Sequence, residues 1–467
     1  MRYLKKIGLW LGPIAFMGIH MLPTLPGLDP AAQTTLAVAA LMVLWWVTEA
    51  FDIAVTSLIP LLLLPLFGVG SLTVNAAPYA SPVVFLFLGG FLLAIALEKS
   101  GLHQRIAYAI LTWVGYAPHK LMLGFLLAST LLSMWISNTA TAMMMLPIAL
   151  SVASISEGFG TDTKAISALL LSVAIGSNLG GVGTLIGTPP NAIMSGYLSQ
   201  THAIQIGFFE WMKIGVPIIL IALPLFYFII RKNLSFTLSN EKVRIGEEIM
   251  RHRVALGGWK PVEIRVAVLG TLTALCWMLQ PLLAKGIPGL TDAGIGMMAA
   301  FLLFVIPADS QEKSSILEWK DTHSLPWGVL ILFGGGLSLA DAIQRTELAN
   351  WMGFHLSAIQ VLPVYVVVFV ISISIIFISE VTSNSATAAA VLPIIGPMAI
   401  SMGYEPTMFV IPATLAASMA FMLPVGTPPN AIVFSTGKIL QKDMIKTGFW
   451  LNLISAILIT LAVYLLL

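Results

Sequence analysis

Two short polar strings, each present twice, decide what this chain can become. Ser137-Asn138-Thr139-Ala140-Thr141 lies between the apolar runs 121–136 and 142–155, and Ser383-Asn384-Ser385-Ala386-Thr387 lies between 363–381 and 388–402. A second shared string follows each: Gly187-Thr188-Pro189-Pro190-Asn191-Ala192-Ile193, then Gly426-Thr427-Pro428-Pro429-Asn430-Ala431-Ile432. The first pair stands 246 positions apart and the second 239. Motifs repeated in one order at nearly one spacing mark a tandem of related halves. Leu88-Gly89-Gly90 and Gly334-Gly335-Gly336, again 246 apart, carry the repeat upstream.

The setting of these strings is apolar. Charged residues make up 9% of the chain, against about 25% in soluble domains, and the mean hydropathy is +0.94. Runs of membrane-spanning length recur, so the expected class is an all-α polytopic membrane protein surrounded by lipid. Its predicted spans are 7–21, 34–49, 53–67, 82–98, 165–186 (continuing in 189–198), 211–230, 262–283, 291–306, 326–342, 407–425 (continuing in 428–434) and 447–467. Two interrupted hairpins, 121–155 and 362–402, complete the set; 101–120 reads as a break and 231–261 as a polar linker. The run 7–21 follows Arg2, Lys5 and Lys6, contains Pro13 and lacks a small-x-small site, so it reads as a retained span rather than a signal peptide.

Charge fixes the expected orientation. With the N-terminus in the cytoplasm and both hairpins returning to the side they entered from, every basic residue except Lys213, Lys285 and Arg345 falls on the cytoplasmic side. The C-terminus is then outside. A hairpin that crossed fully would move every later loop to the opposite side and erase this bias. The first repeat unit then enters from outside at Thr34 and the second from inside at Val262. Inverted repeats with broken helices at mid-membrane are the pattern of secondary transporters.

The breaks carry the chemistry. Non-helical backbone at membrane depth must find partners in protein or in a water-filled cavity, and Ser, Asn and Thr supply donors and acceptors without net charge. Helices starting after Asn138 and Asn384, and at Pro189 and Pro428, would aim positive ends at one central place, a site for an anion without a buried Lys or Arg. Carbonyls and hydroxyls at the same breaks make hard oxygen sites suited to Na⁺. A lone Ser-Asn-Thr in a membrane helix is more often a packing contact; two coupled copies reverse that preference.

Other classes find less support. There is no G-x-x-x-x-G-K-[ST] string for ATP, no H-E-x-x-H, and no G-x-S-x-G or paired aspartates for an intramembrane enzyme. The basic residues are dispersed, so no nucleic-acid face forms, and the single Cys276 gives neither a disulfide framework nor a thiol metal site. The glycine clusters read as close helix contacts. Of the acids in or near spans, Glu49, Asp52, Glu98 and Asp341 sit at span ends, in solvated or capping roles. Glu380, three residues before Ser383, is open between structural hydrogen bonding and ion coupling.

These doubled motifs resemble the divalent anion/sodium symporters, which include bacterial sodium-coupled dicarboxylate transporters and eukaryotic di- and tricarboxylate and sulfate carriers. The resemblance covers the chain after the first span. It implies eleven transmembrane helices, two re-entrant hairpins, a homodimer and an elevator mechanism, with no organic cofactor. A scaffold (1–120 and 262–361) would hold the dimer, and a transport domain (121–230 and 362–467), joined by the cytoplasmic linker 231–261, would carry the site. Ser137, Asn138, Thr139, Ser383, Asn384 and Ser385 would contact the carboxylates of a small dianion. Thr427 and Pro428 would line the site, with Thr188 and Pro189 as the matching pair. One Na⁺ would be held by Ser133, Ser137, Asn138 and the Gly187 carbonyl, the other by Ser379, the Thr382 carbonyl, Asn384 and the Gly426 carbonyl. Ser385 departs from the usual Thr, keeping the hydroxyl and losing the methyl. The expected work is Na⁺-coupled uptake of C4-dicarboxylates (succinate, malate, fumarate) across a bacterial inner membrane; an exchanger, or a sulfate or tricarboxylate carrier, would use the same fold.

Overall fold

The computed structural model describes residues 2–157, 163–234, 242–309, 314–356 and 362–466. Met1, Lys313, Val361 and Leu467, used above for boundaries and the charge count, lie outside them. No strand occurs among the described residues, only one isolated bridge between Pro307 and Ser315.

The first part runs α1 (Arg2–Met21), α2 (Pro30–Thr48), α3 (Ile53–Thr56), α4 (Ile59–Leu66), α5 (Leu72–Ala76), α6 (Pro82–Ser100) and α7 (Leu102–Val114). The first hairpin follows as α8 (Pro118–Ser133) and α9 (Asn138–Glu157), then α10 (Thr163–Gly181), α11 (Pro189–His202) and α12 (Phe208–Asn233). After α13 (Lys242–Ala255) come α14 (Pro261–Leu283), α15 (Asp292–Val305), α16 (Trp327–Arg345) and α17 (Leu348–Leu356). The second hairpin is α18 (Val364–Ser379) and α19 (Asn384–Ser401), followed by α20 (Thr407–Ala417), α21 (Pro428–Phe434) and α22 (Gln441–Leu466). Both α8 and α18 start and stop 246 positions apart, so the repeat seen in the motifs extends to whole elements.

Among the described residues, eight helices are long and apolar enough to cross a membrane, with shorter apolar helices beside them. Three predicted stretches fold differently from the expectation. The span 53–67 is two short helices, because Pro60 starts a fresh helix rather than continuing one, while Asp52 caps α3 through the Ala54 N–H at 2.8 Å. The break 101–120 contains α7, which buries Leu102, His103, Ala107, Tyr108 and Leu111 along one side. Its length is too short for a span, but its helical period is sound. The linker 231–261 contains α13, which buries Ile245 and Ile249.

The arms of the first hairpin both end against α13. A side chain on Gly246 would sit 2.8 Å from the Tyr116 ring, just ahead of α8, and late in α9 the Ser151 hydroxyl donates to Glu248 at 3.1 Å. The chain therefore leaves and returns at one end. Behind the hairpin lies α10, whose span is 94% buried. It approaches α8 through small residues: a Cβ on Gly176 would meet the Leu126 carbonyl oxygen at 2.6 Å.

The glycine clusters are helix contacts, as their sequence implied. A Cβ on Gly89 would lie 2.5 Å from the Gly296 carbonyl carbon, where α6 crosses α15; on Gly335 it would lie 2.3 Å from the Ser57 oxygen. Gly336, by contrast, has ordinary clearance of 3.7 Å to Ala389. Gly89→Val is therefore expected to lower the thermal midpoint in detergent, with an overpacking cost of about 1–3 kcal/mol. Gly336→Ala is expected to leave the midpoint unchanged or slightly raised, as measured by unfolding fluorescence.

Candidate functional site

The hairpin tips are short and polar because the helices on either side stop for lack of continuing partners. After Ser133 the chain turns, and α9 restarts at Asn138 with the Ser137 hydroxyl accepting the Ala140 N–H at 3.2 Å. In the second hairpin Ser383 is extended and α19 starts at Asn384. The second strings behave alike. Thr188 and Thr427 are both extended, and the prolines that follow open α11 and α21.

These four helix starts surround one cavity of about 650 Å³. Every residue assigned to the substrate above lines it: Ser137 to Thr139, Ser383 to Ser385, and the pairs Thr188-Pro189 and Thr427-Pro428. Among the described residues no Lys or Arg lines it. Its mouth is formed by residues outside the motifs, including Glu49, Glu98 and Ser324. Two of the four span-end acids thus face the cavity, with Glu49 also 3.4 Å from Lys5; Asp341 instead pairs with Arg345 at 2.7 Å.

The expected ion ligands fall into two clusters. In the first, the Asn138 amide lies 2.7 Å from the Ser133 hydroxyl, 3.1 Å from the Ser177 carbonyl and 3.2 Å from the Gly187 carbonyl. With its nitrogen turned inward the amide has two hydrogens to share among the three acceptors; with its oxygen inward, four oxygens converge. A small cation at their centre would require the second sense. The Ser177 carbonyl is an addition that sequence reasoning missed, and the Ser137 hydroxyl is engaged in capping α9. In the second cluster Ser379 Oγ and Asn384 Oδ1 are buried without a partner among the described residues. The Thr382 hydroxyl is occupied by Thr387 at 2.6 Å and by the Ile378 carbonyl at 2.9 Å. Buried oxygens left without donors cost about 1–3 kcal/mol each, a cost that a bound cation would relieve.

Behind the cavity the breaks are held by side chains. Asn191 Nδ2 donates to the carbonyls of Gly181 (3.1 Å) and Thr184 (2.8 Å). Asn430 Nδ2 does the same to Ala420 (3.4 Å) and Leu423 (3.1 Å), each residue 239 positions on. The last residue of each Gly-Thr-Pro-Pro-Asn string is thus a staple across its own bend. Glu380 resolves toward structure: Oε1 accepts from the N–H groups of Phe421 (2.7 Å) and Met422 (2.8 Å) and from Asn452 (2.7 Å), and Oε2 from the Leu423 N–H (2.8 Å). Asn178 also lines the cavity and was missed, since repeat matching cannot single out a residue whose counterpart is Ala417.

Outside the spans, Asp321 stands near the mouth. Burial pushes its carboxyl up, but the Lys99 ammonium at 2.6 Å and the Glu318 N–H outweigh this and hold it below the usual carboxylate range.

A helical membrane protein in which paired polar breaks meet apolar side chains such as Phe91 and Ile186 around one cavity, with no Lys or Arg in its lining among the described residues, is built as a carrier of solutes. The family described as "sodium:sulfate symporter transmembrane region" matches residues 5–466, and the chain belongs to it; its curated relatives are transporters, not enzymes. The sodium-dependent dicarboxylate transporter SdcS of Staphylococcus saprophyticus is 41% identical, over 98% of this chain and 91% of the relative. The protein of the same name from Staphylococcus aureus (strain USA300) is 39% identical over the same shares. Among solved structures, Neisseria gonorrhoeae MtrF, from a class of antimetabolite efflux pumps, shares the fold at a TM-score of 0.62 and 16% identity, covering 100% of this chain and 98% of its own. The Alcanivorax borkumensis YdaH transporter does so at 0.53 and 14%, over 83% and 86%.

Because Glu380 receives four donors, Glu380→Ala is expected to destabilise the protein by about 3 kcal/mol or more. The measurements are thermal unfolding in detergent and the cation dependence of the midpoint, whose slope is expected to stay as in the wild type. A changed slope would return Glu380 to ion coupling.

Proposed function

We propose that this chain is a Na⁺-coupled symporter of small divalent anions, with C4-dicarboxylates such as succinate, malate and fumarate as its substrates. One observation carries the reading: four helix starts from the two halves meet around a cavity whose lining holds hydroxyls, amides and backbone N–H groups but no basic side chain. Such a site attracts an anion by partial charges that are already oriented. Two Na⁺ ions, one in the Ser133–Asn138–Gly187 cluster with Ser137 beside it and one in the Ser379–Thr382–Asn384–Gly426 cluster, would neutralise a bound dianion. The names of the staphylococcal relatives support both the ion and the diacid.

The transport domain (121–230 and 362–467) moves the site past the scaffold (1–120 and 262–361) as an elevator, within a homodimer. Each hairpin is reached through a short helix entered by a left-handed residue, Gly101 (φ 83°) before α7 and Glu347 (φ 59°) before α17, 246 positions apart. These bends supply matched joints between the two bodies. The eleven-span, two-hairpin topology with inverted halves places Glu49, Glu98 and Ser324 on the cytoplasmic side, so the cavity mouth opens inward in this state.

The family description names sulfate, which favours a second reading as a sulfate carrier. The cavity has the size of a small-molecule site rather than of a single tetrahedral ion, and this favours the diacid. In proteoliposomes, an inward Na⁺ gradient is expected to drive labelled succinate uptake, and replacing Na⁺ by K⁺ to abolish it. Asn138→Ala and Asn384→Ala are each expected to lower uptake by about ten-fold or more. Uptake indifferent to Na⁺ but dependent on internal dicarboxylate would make the protein an exchanger, and sulfate competition at low concentration would make it a sulfate carrier.

A further inference from the structure

Asn178 lies in α10, in the first half, yet its side chain bonds to the second. Its Nδ2 is 2.9 Å from Thr427 Oγ1 and 3.1 Å from Asn430 Oδ1. The sense of this amide follows from its neighbours. Asn430 commits its own nitrogen to the Ala420 and Leu423 carbonyls, so its oxygen can only accept. Turning the Asn178 amide over would set two carbonyl-type oxygens against each other. The nitrogen therefore faces Asn430 and Thr427, and Asn178 Oδ1 is left buried with no partner among the described residues, a cost that a purely structural bridge would avoid.

The consequence falls on Thr427. A hydroxyl has two lone pairs and one hydrogen. One lone pair accepts from Asn178, and the other from the Asn430 N–H at 3.3 Å. Only the hydrogen remains, and among the described residues no acceptor takes it. Thr427 lines the cavity and is 3% exposed. For Thr188, the first-half counterpart of Thr427, the second-half position matching Asn178 is Ala417 of α20, and the Thr188 hydroxyl makes no capping bond. That hydroxyl is free to turn either way.

We infer that Asn178 is a positioning residue for the substrate: it commits the Thr427 hydroxyl to donating into the cavity. One end of the site is thereby preset for an oxygen that only accepts, such as an ionised carboxylate, while the Thr188 end tolerates donors as well. A hydrogen bond to an ionised acceptor is stronger than one between neutral groups, so the preset end sets the affinity for dianions. This deepens the function proposed above and rests on it.

The test is a mutant cycle in proteoliposomes with an inward Na⁺ gradient. Asn178→Ala and Thr427→Ala are each expected to raise the succinate KM about ten-fold with Vmax within about two-fold, and the double variant no further than Thr427→Ala alone. Thr427→Ser, which keeps the hydroxyl, is expected to stay near the wild-type KM. An unchanged KM in Asn178→Ala, or effects that multiply in the double variant, would overturn the assignment. Asn178→Asp is nearly isosteric and serves where the alanine variant does not assemble. Its carboxylate takes the Thr427 hydrogen, so the KM is expected to rise further while Na⁺ still raises the Tm of the substrate-free protein; a wild-type KM there rejects the role. Failure of the proposed function shows in the wild-type protein, as absent Na⁺-driven uptake, whereas failure of the Asn178 assignment shows only in the variants.

Discussion

A peptide group without a hydrogen-bond partner inside a hydrocarbon layer costs several kcal/mol, and this membrane protein interrupts its helices at four matched places around one cavity. Everything distinctive about the molecule answers that cost. Asn191 and Asn430 return the same two bonds to the same two positions of each bend. The remaining groups are met differently in the two halves. In the first, donors cover carbonyls: the Thr184 hydroxyl reaches the Met134 carbonyl, and the Trp211 indole reaches that of Val182 at 2.9 Å. In the second, an acceptor covers N–H groups, because Glu380 stands where the first half has Met134. The halves share a path for the backbone and differ in the sign of what holds it.

That difference reaches the cavity. A perfectly duplicated site would present identical ends to its guest, and a symmetric diacid would need no more. Here Asn178 has Ala417 as its counterpart, and the hydroxyls of Thr427 and Thr188 are consequently in different hydrogen-bonding states. The residues outside the motifs are unsymmetrical too, since the acids Glu49 and Glu98 line the cavity and Lys5, the ion-pair partner of Glu49, does not.

Repetition made the fold readable. Paired strings predict paired breaks, and the breaks lie where the strings are, with α8 and α18 matching in both bounds. Positions within the motifs were legible down to the residue, because polar side chains in an apolar run have few other reasons to exist. The rest was hidden for physical reasons. Helices α7 and α13 are amphipathic and too short to span, so a search for apolar length passes over them. The bend in 53–67 depended on Pro60, which the apolar run disguised. Glu380 could not be assigned from sequence, since its donors are three backbone N–H groups some forty residues away and the Asn452 amide beyond them. Asn178 and the Ser177 carbonyl escaped because neither belongs to a repeated string.

The enclosure of α10 has a consequence for how the chain is made. A helix that is 94% covered, carries Ser167, Ser172, Ser177 and Asn178 among its buried residues and has a mean hydropathy of 1.3 is better matched to protein neighbours than to lipid. Its polar groups are sheltered only once neighbours have enclosed it. The hairpin synthesised immediately before it supplies the first of them, since α8 receives the small-residue seam of α10. The order of the gene is therefore also an order of shelter: the groove emerges from the ribosome ahead of the strand of protein that could not survive without it.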